Sequence, residues 1–310
     1  MPDTPLPAPH RQTISYLTRR FRQVGLKPNA RHGQNFLVDL NLLAILADAA
    51  QLNQQDVVLE VGTGMGSLTA LLAARAGRVV TVELDRHLHQ MAREELEAFD
   101  NITMLLQDAL KNKNRIDPLV LQSVQQALHE VPGRTFKLVA NLPYNIATPL
   151  ISNLLAAEPV PDTMTVTIQK ELADRIVAAP GNKDYGSLSV WVQSLCVAEV
   201  LRLLPPTVFW PRPKVHSAII QLRHRRDWRD SIPHLDYWHQ FVRVIFFHRR
   251  KFLRAVAVSA FRDHLDKPAV DRVLSSFSLG PDARTEQLAV AELRALCDAF
   301  HAVAPDWRLA

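Results

Sequence analysis

The sequence is poor in cysteine and has no long apolar run. It has two cysteines in 310 residues, Cys196 and Cys297, both in apolar helical surroundings and neither at a metal-ligand spacing. That excludes a disulfide scaffold and a cysteine zinc site, and buried free thiols are expected. No apolar run reaches the roughly 20 residues of a membrane-crossing helix. The proline-rich start Met1 to Pro9 has neither the basic nor the apolar region of a signal peptide. The expectation is a cytoplasmic monomer with no membrane and no metal. Charge is also modest, a net +5, but the basic excess concentrates near the N-terminus and in the last third. That distribution points to an anionic partner for part of the chain.

What is present is enough apolar sequence for one large domain and one small one. Arg11 to Val24 reads as a basic amphipathic helix, with Ile14, Leu17, Phe21 and Val24 on one face. Residues 31–39 suit an ordered loop. Leu40 to Ala50 is helical, and Asp56-Val-Val-Leu-Glu-Val-Gly-Thr-Gly-Met-Gly-Ser67 then gives a buried strand, a glycine turn and the start of a helix. Such a corner lets a backbone approach a nucleotide closely. The dinucleotide fingerprint requires glycine where Ser67 stands, whereas the alternation of Gly62, Gly64 and Gly66 is that of methyltransferases binding S-adenosylmethionine. Glu83 ends the next apolar run, where a carboxylate can accept from both hydroxyls of a ribose.

Strands and helices go on alternating: Val79 to Leu84, a helix over 86–98, Ile102 to Leu106, Phe136 to Ala140, a helix over 146–156 and Met164 to Gln169. This predicts a doubly wound, mainly parallel sheet, an α/β Rossmann-like fold. Ligands in such sheets sit beyond the carboxyl ends of the strands. Gly62, Glu83, Asp108 and Asn141 occupy four of those ends. The Lys-, Asn- and Gln-rich stretch between Asp108 and Phe136 reads as a connection lengthened by a surface insertion. From Arg223 the strand pattern stops and helical stripes take over. The expected organisation is a catalytic domain over 1–222, with 1–30 a basic helical extension, and an all-helical RNA-binding domain over 223–310.

Asn141-Leu142-Pro143-Tyr144 is the most specific stretch. An adenine N6 amine is a poor nucleophile because its lone pair is delocalised into the ring. Acceptors aimed at its two hydrogens favour the pyramidal form that reacts. Asn141 offers a side-chain oxygen and Leu142 a backbone carbonyl, while Pro143 keeps Leu142 out of the helical region. Tyr144 offers a ring to stack on a flipped base. Phe209, in the proline-stiffened loop Pro205 to Lys214, is a candidate for the base's other face, although a packed loop aromatic explains it equally well. Arg249, Arg250, Lys251 and Arg254 form a basic run suited to RNA phosphates.

Taken in order, Gly33-Gln-Asn-Phe-Leu37, Glu60-Val-Gly-Thr-Gly64, Glu83-Leu-Asp85, Gln107-Asp-Ala109, Asn141-Leu-Pro-Tyr-Asn145, Gln169-Lys-Glu171, Tyr185-Gly-Ser-Leu-Ser189 and Phe209 through Ser217 resemble the ribosomal RNA adenine N6,N6-dimethyltransferases, and most closely the bacterial small-subunit group. The sequence departs from that pattern at Met65, at His216 and in the lengthened segment after Asp108. The resemblance implies S-adenosylmethionine as cofactor and small-subunit (16S) rRNA as substrate. It also implies cofactor contacts at Asn35, Leu37, Gly62, Gly64, Glu83, Asp108 and Asn141, with Asp108 meeting the cofactor's adenine and Asn35 and Leu37 closing over the site. Two alternatives stay open: a large-subunit enzyme of the macrolide-resistance type, and a noncatalytic ribosome-assembly factor. A nicotinamide enzyme is disfavoured by Ser67.

Overall fold

The computed structural model describes residues 13–23, 25, 27–28, 33–248 and 251–309. In chain order the elements are α1 (Ile14–Gln23), β1 (Phe36–Leu37), α2 (Leu40–Ala49), β2 (Asp56–Val61), α3 (Ser67–Ala73), β3 (Arg78–Glu83), α4 (Arg86–Glu95), β4 (Ile102–Leu106), β5 (Leu110–Asn112), β6 (Arg115–Ile116), α5 (Pro118–Glu130), β7 (Thr135–Asn141), α6 (Ala147–Ala156), β8 (Thr163–Gln169), α7 (Lys170–Val177), α8 (Ser187–Gln193), β9 (Cys196–Leu204), β10 (Phe209–Trp210) and β11 (Ser217–His224). There follow α9 (Arg226–Asp230), α10 (Leu235–Ile245), α11 (Leu253–Ala260), α12 (Lys267–Ser275) and α13 (Val290–Val303). Two compact units result, one running to Ala173 and resuming over Glu199–His224, the other made of Asp174–Ala198 and Arg225 onward.

The sheet of the first unit has seven strands in the order β4-β3-β2-β7-β8-β11-β9. β4, β3, β2, β7 and β8 run parallel, and β11 pairs antiparallel with β8. The chain winds outward from β2 through β3 to β4, then returns to β7 on β2's other side. That reversal opens a crevice at the carboxyl ends of β2 and β7. Every residue of β2 is buried, as a strand with helices over both faces requires. Asp39 caps α2 through Asn41 N and Leu42 N, and Asp85 caps α4 through His87 N and Leu88 N, so both helices begin where the crevice needs a loop.

The predicted doubly wound sheet is present, with differences in detail. The loop expected over 31–39 contains β1, which pairs with β10 as Phe36↔Trp210 and Leu37↔Phe209. The amphipathic N-terminal helix is α1, and Arg11 and Val24 lie outside the described residues. Its Leu17 and Phe21 pack on Met65, Leu88 and Met91. The segment after Asp108 folds into a β5·β6 hairpin followed by α5.

The second unit is all-helical apart from the start of β9. It also takes in residues 174–198, on the catalytic side of the boundary expected at 222. Buried aromatic packing explains this: Trp191 of α8 stacks on His239 of α10 with centroids 4.2 Å apart, and Trp238 donates to Ser194 Oγ at 3.0 Å. Phe261 and Phe300 stack at 4.3 Å in the same core. Both cysteines are buried and free, and burial pushes the Cys196 thiol up to about 12. Among the described residues no helix is long and apolar enough to cross a membrane.

Candidate functional site

The crevice between β2 and β7 opens into a solvent-open cleft lined by the glycine turn, Glu83, Asp108 and the Asn141–Ile146 turn, a concave site with apolar walls and a few polar groups. Its floor is the glycine turn. Gly62 has φ +90°, and a Cβ on it would stand 3.2 Å from the Pro143 ring, so only glycine lets the Asn141–Tyr144 turn close on β2. Gly64 N donates to Glu83 Oε2 at 2.9 Å, and Asp85 N donates to Oε1 at 2.9 Å. Glu83 is thus anchored by one backbone donor on each oxygen, with lone pairs to spare for a ligand. Burial raises its pKa, and the backbone hydrogen bonds from Asp85 and Gly64 oppose that rise.

Asn141 ends β7. Its Nδ2 donates to the Asn35 carbonyl at 2.9 Å, which fixes the amide's orientation and leaves Oδ1 buried without a partner. Leu142 N donates to Thr167 O at 3.1 Å, while the Leu142 carbonyl takes no hydrogen bond among the described residues. Two acceptors from successive residues are therefore both unused. Tyr144 is half-buried and does not line the cavity; its hydroxyl shares a 2.6 Å hydrogen bond with the buried Ser217 Oγ. Burial raises the Tyr144 pKa, and the Ser217 bond opposes the rise. Asp108 is exposed at the rim, where one oxygen accepts from Leu110 N at 2.9 Å.

The cavity brings together Asn35, Gly62, Gly64, Glu83, Asp108, Asn141, Leu142 and Pro143. It does not include Phe209, and the expectation that this ring closes on a base is corrected. Phe209 is 2% exposed, because pairing of β10 with β1 turns it into the core with Leu37, Leu42 and Leu43. Leu37 shares that core and borders a smaller adjoining cavity, so of the β1 pair Phe36 is the residue that lines the large one. Phe36 was missed in the sequence. Its ring rests over Gly64, edge-on to Phe21 at 5.5 Å and 6.1 Å from Trp210. Gln107, Leu84, Leu88 and Ile146 also line the cavity and were not singled out.

In the second unit, Arg249 and Arg250 lie outside the described residues. Lys251 is exposed. Arg254, read as a free cation of the basic run, is paired: Asp271 holds its guanidinium through two hydrogen bonds of 2.6 and 2.8 Å, which neutralises its charge locally.

Glu60, beneath the glycine turn, is 1% exposed, and its Oε2 accepts from Thr69 at 2.7 Å and Thr81 at 2.6 Å. Burial raises its pKa to about 8, against the lowering effect of both hydroxyls. The folded chain therefore keeps this proton up to about pH 8 and the unfolded chain only to 4.5, so stability falls as pH rises through that window. Glu60→Gln keeps the shape and removes the titration. Thermal unfolding of this variant is expected to show a flatter decline of Tm between about pH 5 and about pH 8. Equal slopes in the two proteins would remove Glu60 as the source.

Comparison with known proteins supplies an independent line. A family model described as ribosomal RNA adenine dimethylase matches residues 25–293. The ribosomal RNA small subunit methyltransferase A of Halothermothrix orenii is 36% identical over 277 residues, 89% of each chain. That of Pediococcus pentosaceus is 39% identical over 270 residues, 86% of this chain and 88% of its own. Among solved structures, a dimethyladenosine transferase from Plasmodium falciparum superposes with a TM-score of 0.69 at 23% identity, covering 85% of this chain and 96% of that one, a likeness of fold. The 23S rRNA methyltransferase ErmE gives 0.60 at 26% identity, covering 85% and 98%.

Proposed function

The chain belongs to the ribosomal RNA adenine dimethylase family, and from that premise we propose how the residues of its cavity divide the work. The protein is an rRNA adenine N6,N6-dimethyltransferase of the small-subunit (16S) type. S-adenosylmethionine, when bound, supplies an electrophilic methyl on its sulfonium. The cavity fits that group: apolar walls at Leu84, Leu88, Ala109 and Ile146 suit an adenine face, and Glu83 suits a ribose. Asp108 keeps a free oxygen at the rim for an adenine amine. Asn35 acts through Asn141, whose amide it orients, and Gly62 and Gly64 admit the ligand by having no side chain. Leu37 supports this wall from the core.

The observation that carries the reading is the pair of unused acceptors, Asn141 Oδ1 and the Leu142 carbonyl. They accept the two N6 hydrogens of a flipped adenine and favour the pyramidal amine. Tyr144, tethered through its hydroxyl, offers its ring to the base. Phosphate contacts from Lys251 and its neighbours hold the RNA, in a cytoplasmic enzyme acting as a monomer. Labelled S-adenosylmethionine incubated separately with unmethylated small and large subunits tests this. Label on adenine N6 of small-subunit rRNA, two methyls per base, is expected. Label confined to large subunits would move the enzyme to the macrolide-resistance type, and binding without label would make it an assembly factor.

The Ser217 tether refines the role of Tyr144. Tyr144→Phe keeps the ring but leaves a buried hydroxyl unpaired, at about 1–3 kcal/mol of stability. Its single-turnover rate should fall only modestly, whereas Tyr144→Ala should be far slower. A Phe variant as slow as the Ala variant would show that the hydroxyl, not the ring face, does the work.

A further inference from the structure

The segment after Asp108 has no part in the chemistry above, yet it builds a defined object. β5 and β6 pair antiparallel as Leu110↔Ile116 and Asn112↔Arg115. Leu110 and Ile116 are buried and root the hairpin, while residues 111–115 are exposed, so Lys111, Lys113 and Arg115 all stand in solvent. None of the three has an ion-pair partner among the described residues. Five arginines elsewhere on this unit are ion-paired: Arg20 with Glu94, Arg75 with Asp48, Arg78 and Arg134 with Glu130, and Arg223 with Glu199. The hairpin instead carries three unpaired cations within five consecutive exposed residues.

It is also held in place beside the cavity. Asp117 N donates to Ala109 O at 3.0 Å across its base, Asn114 N donates to Asn112 Oδ1 at 2.9 Å in its turn, and Asn153 Nδ2 of α6 donates to Lys113 O at 3.3 Å. At its foot, Asp108 and Ala109 line the cavity. On its far side α6 begins directly after the Asn141–Ile146 turn, and Asn153 lies about 10 Å along that helix from Ile146. The cations are thus fixed between the rim of the cavity and the helix that follows the acceptor pair.

We propose that this hairpin grips the phosphate backbone of the RNA strand that presents the target adenine. The proposal rests on the reading of the cavity as an rRNA adenine site. Exposed cations on an anchored hairpin meet phosphates with little loss of backbone freedom, and such contacts position a strand without reading its sequence.

The test is a variant carrying Lys111→Gln, Lys113→Gln and Arg115→Gln, whose side chains are exposed and unpaired. A control of equal charge loss carries Arg93→Gln, Arg202→Gln and Arg223→Gln, exposed on the same unit and outside the cavity lining. Binding of small subunits is measured against salt concentration. Loss of three phosphate contacts is expected to reduce the slope of log K against log salt by about 2 and to weaken binding about tenfold or more at low salt. Cofactor affinity and Tm should match wild type, and the control should keep the wild-type slope. An unchanged slope in the hairpin variant, or an equal loss in the control, overturns the proposal. Failure of the underlying reading shows differently, as a wild-type protein that methylates no small-subunit adenine.

Discussion

Asn141→Ala is expected to slow methyl transfer by about a hundredfold or more while leaving subunit binding intact. The wild-type amide is fixed by its bond to the Asn35 carbonyl, so its oxygen stands ready, without reorganisation, where the N6 hydrogens arrive. A buried acceptor with no partner weakens the folded state unless a ligand completes it, and Oδ1 is in that condition. Removing the side chain relieves that acceptor but leaves the Asn35 carbonyl without its donor, so the two effects oppose each other and stability should change little while the rate collapses. Asn141→Asp is the informative companion. Its carboxylate still accepts but cannot donate to Asn35, so both partners are acceptors and the group loses its fixed orientation. Single-turnover methylation at saturating cofactor, run beside a binding assay, separates rate from affinity. A fully active Asn141→Ala would end the acceptor-pair mechanism.

Much of this site was legible because strand ends are legible. Glu83, Asp108 and Asn141 each follow an apolar run, and a parallel sheet gathers the carboxyl ends of such runs at one edge. What stayed hidden depends on pairing between distant segments. Phe36 and Trp210 face each other across β1 and β10, and two-residue strands have no alternation to display. The same pairing buries Phe209, which a stiff proline loop alone presents as free to stack. Arg254 illustrates a further limit: the sequence shows no acid beside it, yet α12 brings Asp271 to it across a turn. The helix α8 was invisible for a related reason. Its Ser187–Gln193 run is short, and it is fixed by burial of Trp191 and by Trp238 reaching Ser194, not by propensity.

Glu83→Ala should weaken S-adenosylmethionine binding by about 2 to 4 kcal/mol, roughly a 30- to 1,000-fold rise in Kd. Two losses combine. The charged acceptor for the ribose hydroxyls disappears, and Gly64 N and Asp85 N lose the oxygens that hold the glycine turn and the entry to α4. Glu83→Gln separates them. An amide has one acceptor oxygen, so it can satisfy Gly64 N or Asp85 N while turning a donor toward the other. Its affinity should fall between wild type and Ala. The pH dependence has a definite sign. Binding needs the carboxylate, and burial raises the pKa of Glu83, so affinity should fall on acidification from above the ordinary carboxylate range. The Gln variant, with nothing to titrate there, should lose that part of the dependence. Calorimetric titration across pH gives both readouts. Unchanged affinity in a folded Ala variant would remove Glu83 from the cofactor site, and a Gln variant that kept the full acid-side loss would assign the titration to another group.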